Sequence, residues 1–170
     1  LCEMQKVKVV IIGQDPYHTL GVPNGLAFSV NRNSKLPPSL VNIFKELEAD
    51  LGIKNSIGDL TSWSKQGVLL LNTSLSVCAG LPASHSKIGW ELFTNTVINV
   101  IQQKKNIVFL LWGKHAQKKG DLIENSNFIL EAAHPSPLSA NNGFFGCGHF
   151  SKTNNFLTSL GSDPIDWQLE

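Results

Sequence analysis

Four short runs of apolar residues punctuate the chain, at Val7–Ile12, Val68–Leu71, Ile107–Trp112 and Phe128–Ala132. Runs this short, rich in branched and aromatic side chains, predict strands buried on both faces. Between them the apolar positions recur at helical spacing. Leu40, Ile43, Phe44, Leu47 and Leu51 form one stripe, with Ser39 as its expected N-cap and Gly52 as its stop. Trp90, Phe93, Val97, Ile98 and Ile101 form a second stripe. A third helix is expected over Ala116–Glu124, and Phe156, Leu157 and Leu160 mark a last one near the carboxyl end. Such stripes are expected to face the core. Strands alternating with helices predict an α/β fold, a three-layer α/β/α arrangement around a central four-stranded parallel sheet.

In open α/β sheets the site lies beyond the carboxyl ends of the strands. Here each expected strand ends in polar groups. The first runs directly into Gly13-Gln14-Asp15-Pro16-Tyr17-His18. Pro16 fixes its own φ and pushes Asp15 out of the helical region, so the turn is stiff and aims its side chains. Taken alone, Asp15-Pro16 is equally an ordinary strand-ending turn. The second strand ends in Asn72-Thr73-Ser74, the third in Gly113-Lys114-His115 and the fourth in His134-Pro135-Ser136-Pro137. Four such ends on one rim make a candidate site of carboxylate, carboxamide, imidazole and backbone amides. Gly25–Ser29 follows the first strand and supplies a candidate aromatic platform in Phe28.

Composition narrows the chemistry. The apolar fraction is 42% and the charged fraction 16%, which fits a globular domain of ordinary size in 170 residues. No apolar run approaches the ~20 residues of a membrane-spanning helix, and no secretion signal is expected. Cys2, Cys78 and Cys147 are scattered and odd in number, so free thiols in a reducing compartment are expected. The net charge is +1, and of the 14 basic residues only Arg32 is arginine. Lysine serves phosphates as a point charge, whereas arginine dominates bidentate reading of guanine. Any DNA contact is therefore expected to hold the backbone without reading sequence. The nucleophile elbow, the P-loop and the dinucleotide fingerprint are missing, and the five histidines show no metal spacing. A reaction using one carboxylate and one imidazole, with no metal and no cofactor, remains. Hydrolysis that releases a stabilised anion fits that inventory.

These residues resemble the family-1 uracil-DNA glycosylases, which remove uracil from DNA in base-excision repair. The resemblance runs from Val7 to the carboxyl terminus. It is carried by Gly13–His18, Gly25–Val30, Leu36–Leu40, Leu69–Ser76, Leu111–Gly113, His134–Ala140 and Gly143–Cys147. It implies that Asp15 and His134 are catalytic. Asp15 would stabilise positive charge on the sugar and orient water, and His134 would donate to uracil O2 as a neutral ring. It implies that Gln14, Tyr17, Phe28 and Asn72 bind uracil. Phe28 would stack on the base, Asn72 would read its edge, and Tyr17 would exclude the methyl of thymine. Pro37, Pro38, Ser39, Gly113, Lys114, Ser136, Leu138 and Ser139 would contact DNA, with Leu138 as the wedge that enters the vacated stack. For Ser39, Ser136 and Ser139 alike, a local turn or cap role is an equal alternative. His18 would help order the site.

The resemblance further implies uracil-containing DNA, single or double stranded, as the substrate. It implies a monomer without membrane attachment, and a proteinaceous inhibitor or repair proteins as further partners. The location would be the cytoplasm in a bacterium, or the nucleus or mitochondria in a eukaryote. Three departures stand out. Asn142 replaces the usual arginine before Gly143–Gly146, Lys114 replaces a common serine, and Thr19–Asn24 differs from the commoner version. The family usually carries an amino-terminal helical region, and this chain begins six residues before its first strand. The expectation is a single catalytic domain over residues 1–170 lacking that region. Competing readings are a glycosylase of altered base range, a DNA-binding or processivity module without chemistry, and a small-molecule hydrolase.

Overall fold

In the computed structural model, which describes residues 1–169, all four expected strands pair in one parallel sheet. They are β1 (Val9–Gly13), β2 (Val68–Asn72), β3 (Val108–Trp112) and β4 (Phe128–Ala132), in the order β2-β1-β3-β4. The register sets Gly13 beside Asn72 and Trp112 beside Ala132. The carboxyl ends of β1 and β2, and of β3 and β4, are thereby level. The chain passes from one side of β1 to the other between β2 and β3. That reversal is where a parallel sheet opens a crevice for ligands.

Every residue of β1 and β3 is buried, because both strands lie inside the sheet and helices cover both faces. Successive side chains point to opposite faces, and the core divides accordingly. Val9, Ile11, Val68, Leu70, Val108 and Leu110 face one layer with Leu40, Ile43, Leu47, Phe150 and Leu157. Val10, Ile12, Leu71, Phe109 and Leu111 face the other with Ile98, Ile101 and Ala116. Each fully buried aliphatic or aromatic side chain contributes roughly 1.5–3 kcal/mol, so both layers hold the sheet edge that carries the site.

The helices are α1 (Pro38–Leu51), α2 (Thr61–Lys65), α3 (Trp90–Gln102), α4 (Lys114–Gln117) and α5 (His149–Ser159). None is long and apolar enough to cross a membrane among the described residues. Helix α1 ends at Gly52 as expected, but Ser39 is not its N-cap. Pro37 occupies that position without a side-chain cap, and Pro38 opens the first turn with its φ already fixed. The helix expected over Ala116–Glu124 is instead the short α4 followed by a 3-10 turn at Gly120–Leu122. Gly120, which opens that turn, is a poor helix former.

In α3 the buried face is Thr94, Ile98 and Ile101, while Phe93 is 55% exposed. Thr94 Oγ1 donates to Thr73 O at 3.0 Å, which turns this polar position inward and rolls Phe93 out. Leu160 lies beyond α5 and is exposed. Phe156 stacks on Phe128 of β4 with ring centroids 4.5 Å apart.

Candidate active site

A cavity of about 180 Å³ opens at the carboxyl end of the sheet. Gln14, Asp15, Tyr17 and His18 line it from the β1 turn, Asn72 from the end of β2 and His134 from the end of β4. Phe28 and Ser39 complete it, together with Pro82. Three of the four polar strand ends therefore meet in one place. The fourth, after β3, does not line the cavity but packs beside it at Gly113, whose missing side chain leaves room for His134. A Cβ on Gly113 would strike His134 Cβ, and its φ of 87° is in the left-handed region.

Asp15 is held by the loop after β2. The Ala83 N–H donates to Asp15 Oδ2 at 2.7 Å. The Gln14 carbonyl accepts the Ser74 N–H at 2.9 Å and the Thr73 hydroxyl at 3.0 Å. Thr73 in turn lies 2.7 Å from His115 Nε2, so the turn carrying Asp15 is bonded to two further strand ends. Burial is the main reason that His115 titrates below its ordinary value, followed by the charge of Lys119.

Asn72 is buried and faces the cavity, and its carboxamide has no hydrogen-bond partner among the described residues. The carboxamide opens onto the cavity, so its donor and acceptor are free for a ligand there. Gly13 makes its position possible, because a Cβ on Gly13 would collide with Asn72 Oδ1 and press on Ala27. Phe28 adopts φ 63°, rare for a residue with a side chain, and such strain concentrates at functional sites. Its ring packs 5.6 Å from that of Trp112 and 5.9 Å from that of His134. Tyr17 donates its hydroxyl to Phe28 O at 3.4 Å, and burial raises the phenol's pKa, which keeps it protonated.

His134 has a defined donor side. The Ser136 N–H donates to His134 Nδ1 at 3.0 Å, so Nδ1 is an acceptor and the neutral ring carries its proton on Nε2. Burial first, and then the charge of His115, hold its pKa below the ordinary value. The loop that follows is stiffened by its own side chains. Ser139 Oγ donates to His134 O at 2.8 Å, Ser136 Oγ accepts from Leu138 N–H at 3.3 Å, and Asn42 donates to Pro135 O at 2.8 Å. The serines thus do turn work here. Leu138 projects from this loop with 93% of its surface exposed. Pro37, Pro38, Lys114, Ser136, Leu138 and Ser139 do not line the cavity. Pro38 and Lys114 are exposed. Pro82 and Ala83 escaped the sequence reading, although Gly80-Leu81-Pro82-Ala83 is a turn signal directly after a site-bearing strand end.

The fold and the cavity describe an α/β enzyme with a carboxylate and a neutral imidazole set over an aromatic floor. The description "Uracil DNA glycosylase superfamily" matches residues 1–158, and the chain belongs to that family. Among its relatives is the uracil-DNA glycosylase of Acinetobacter baylyi, 57% identical over 98% of this chain and 72% of that protein. The uracil-DNA glycosylase of Campylobacter hominis is 57% identical over 99% of this chain and 73% of that protein. The crystal structure of mimivirus uracil-DNA glycosylase superposes with a TM-score of 0.92 at 32% identity, covering 98% of this chain and 69% of that one. A variant of the mimivirus enzyme has been solved in complex with UGI. The activity of the present chain is the hydrolysis of the N-glycosidic bond joining uracil to DNA, the opening step of base-excision repair.

Proposed function

We propose that Asp15 and His134 divide the two charges that bond cleavage creates. As the bond between uracil N1 and C1′ lengthens, positive charge grows on the sugar and negative charge on the base, as in other oxocarbenium-like reactions. Asp15, with Oδ2 fixed by the Ala83 N–H, faces the sugar cation and orients the attacking water. Water adds to C1′ and yields a proton, uracil leaves as an anion, and the anion is protonated in solution. His134 donates from Nε2 to uracil O2. The observation that carries this assignment is the Ser136 N–H bond to Nδ1, which commits the neutral ring to donating from Nε2. A fixed dipole aimed at developing charge is commonly the largest single catalytic contribution.

Uracil would stack on Phe28, worth ~1–3 kcal/mol. The free carboxamide of Asn72 can accept from N3–H and donate to O4, a pattern that cytosine reverses. Leaving such groups unpaired rejects a wrong base by ~10⁴–10⁵. Tyr17 closes the cavity against a 5-methyl group, and Gln14 and His18 complete its wall. Leu138 enters the stack that the flipped nucleotide leaves. Pro37, Pro38, Ser39, Gly113, Lys114, Ser136 and Ser139 hold the backbone on either side. We further propose that the chain acts as a monomeric, single catalytic domain on uracil in single- and double-stranded DNA. Its bacterial relatives favour the cytoplasm, and UGI is the candidate inhibitor.

Single-turnover release of uracil from a single-uracil oligonucleotide, measured in EDTA, tests the assignment. Asp15→Asn and His134→Leu should each lower the rate by ~10²–10³ while DNA affinity is retained. Full activity in either variant overturns it.

A further inference from the structure

Outside the cavity lies a second arrangement of reactive groups. Cys78 is exposed, and its Sγ is 3.2 Å from His85 Nε2. His85 Nδ1 is 2.8 Å from Ser76 Oγ, which also accepts the Trp90 indole N–H at 2.7 Å. In the tautomer with its proton on Nδ1, His85 donates to Ser76 and presents the Nε2 lone pair to the thiol. A sulfur nucleophile, a base within reach and a third group orienting that base is the geometry by which thiols are activated. The glycosylase reaction uses none of these side chains.

The same turn holds the catalytic carboxylate. The Cys78 N–H donates to Ser84 Oγ at 2.8 Å, and Cys78 bridges to Leu81. Ser74 Oγ donates to His85 O at 3.3 Å. Between these ties stand Pro82, which lines the cavity, and Ala83, whose N–H holds Asp15. Ala83 sits at φ 57°, a conformation that persists only while its surroundings impose it. The other two thiols are poor competitors. Burial pushes Cys147 up to about 12, and burial also raises Cys2.

We propose that Cys78, activated by His85, is an exchange site for small-molecule disulfides, and that its occupation slows uracil release by loosening the Ala83 contact to Asp15. In the exchange His85 Nε2 takes the thiol proton and Cys78 sulfur attacks one sulfur of R–S–S–R. The bond between Cys78 sulfur and that sulfur forms, the S–S bond of the small disulfide breaks, and the second sulfur departs as R–S⁻ and takes the proton back as R–SH. The disulfide is the oxidant, and Cys78 is the group oxidised.

The test treats the full chain with glutathione disulfide at neutral pH and maps the adducts by mass spectrometry. Cys78 should be modified about tenfold or more ahead of Cys2 and Cys147, and His85→Gln should slow that modification by roughly tenfold or more, the lower range of general-base assistance. Ser76→Ala, which keeps the imidazole but removes its orienting partner, should slow it in the same direction. The modified protein should release uracil several-fold more slowly and recover in dithiothreitol. Cys78→Ser should keep the basal rate and be indifferent to the disulfide. Unchanged modification in both His85→Gln and Ser76→Ala, or full activity of the modified protein, overturns the proposal. The coupling rests on the role given to Asp15, whose failure would be read separately, as full activity of untreated Asp15→Asn.

Discussion

The Ser136 backbone N–H donates to His134 Nδ1 across 3.0 Å, so the ring can gain a second proton only by breaking that bond. Burial already holds the ring's pKa below its ordinary value. In the proposed role the neutral donor form is the working form, and the lowered pKa extends it to lower pH than an ordinary imidazole of ~6.5 would allow. Uracil release limited by this group should decline at lower pH than it would with an ordinary imidazole. Nitrogen chemical shifts of His134 at pH 7 should show Nδ1 bare and Nε2 protonated. A rate that rises as the ring becomes protonated would make His134 a proton donor and sink this reading.

Gly13 and Asn72 share a register position, and the space above Gly13 is filled by the Asn72 carboxamide. Gly13→Ala should displace that carboxamide and compress Ala27 as well. Overpacking of this kind costs ~1–3 kcal/mol of stability. The larger loss should be in recognition, because an Asn72 amide out of register cannot pair with the base edge. The expected signature is a KM for uracil-containing DNA raised more than tenfold, with the folded state still cooperative in urea. A variant that folds normally and keeps the native KM would remove Asn72 from base reading.

Tyr17 is braced by its hydroxyl bond to Phe28 O and by packing against the core. If it excludes thymine by bulk alone, Tyr17→Ala should release thymine from an ordinary oligonucleotide, whereas the native protein should release none. Uracil release should also slow, because the truncation loosens the cavity wall. Hydrophobic size discrimination is worth roughly 1–3 kcal/mol per methylene-sized group, so a gain in thymine release of about tenfold over background is the scale to look for. Complete silence towards thymine, with uracil release retained, would assign the exclusion to another residue.

Most of the sheet and the centre of the site were legible because they rest on local pattern. Val9–Gly13 and Val108–Trp112 are continuous apolar runs, and their shortness and branched or aromatic side chains fit a parallel strand buried on both faces. The polar residues after β1, β2 and β4 were legible as strand ends and do meet. Less legible were features set by tertiary contact. Phe93 fits the helical period, yet the Thr94 hydroxyl bond to Thr73 O decides which face turns inward. Ile165, Trp167 and Leu169 alternate at period two and are buried, with Trp167 packed 5.0 Å from Trp63. That pattern was present in the sequence and is easily passed over in a segment that pairs with no strand. The brace of Asp15 by Ala83 joins positions 68 residues apart, and no local signal reports it.

Leu138 tests the wedge without disturbing the fold. Its side chain is 93% exposed, so Leu138→Ala should change stability by no more than ~0.5 kcal/mol. A wedge of the kind proposed for Leu138 matters only where a stack must be opened, a cost of a few kcal/mol. Release from duplex DNA should therefore fall by about tenfold or more, and release from single-stranded DNA should be nearly unchanged. Equal losses on both substrates would mean that Leu138 acts on the bound base or sugar instead of on the stack.

His149 links the core to pH. It is buried, and its Nδ1 accepts the Trp112 indole N–H at 3.0 Å. Burial is the main cause that lowers its pKa to about 4. In the unfolded chain the ring protonates near ~6.5, so the unfolded state binds this proton first as pH falls. The native state is favoured fully above ~6.5 and loses that advantage progressively down to about pH 4. The depression corresponds to roughly 3 kcal/mol at most. Urea unfolding at pH 7.5, 5.5 and 4.5 should show this loss in the native protein and a loss smaller by up to about that amount in His149→Gln, which cannot titrate. Parallel stability curves would exclude His149 as the source. Phe28 rests on Trp112, with ring centroids 5.6 Å apart. Protonation that expels the His149 ring should therefore disturb the floor of the cavity proposed for uracil, and acid should weaken uracil binding less in His149→Gln than in the native protein.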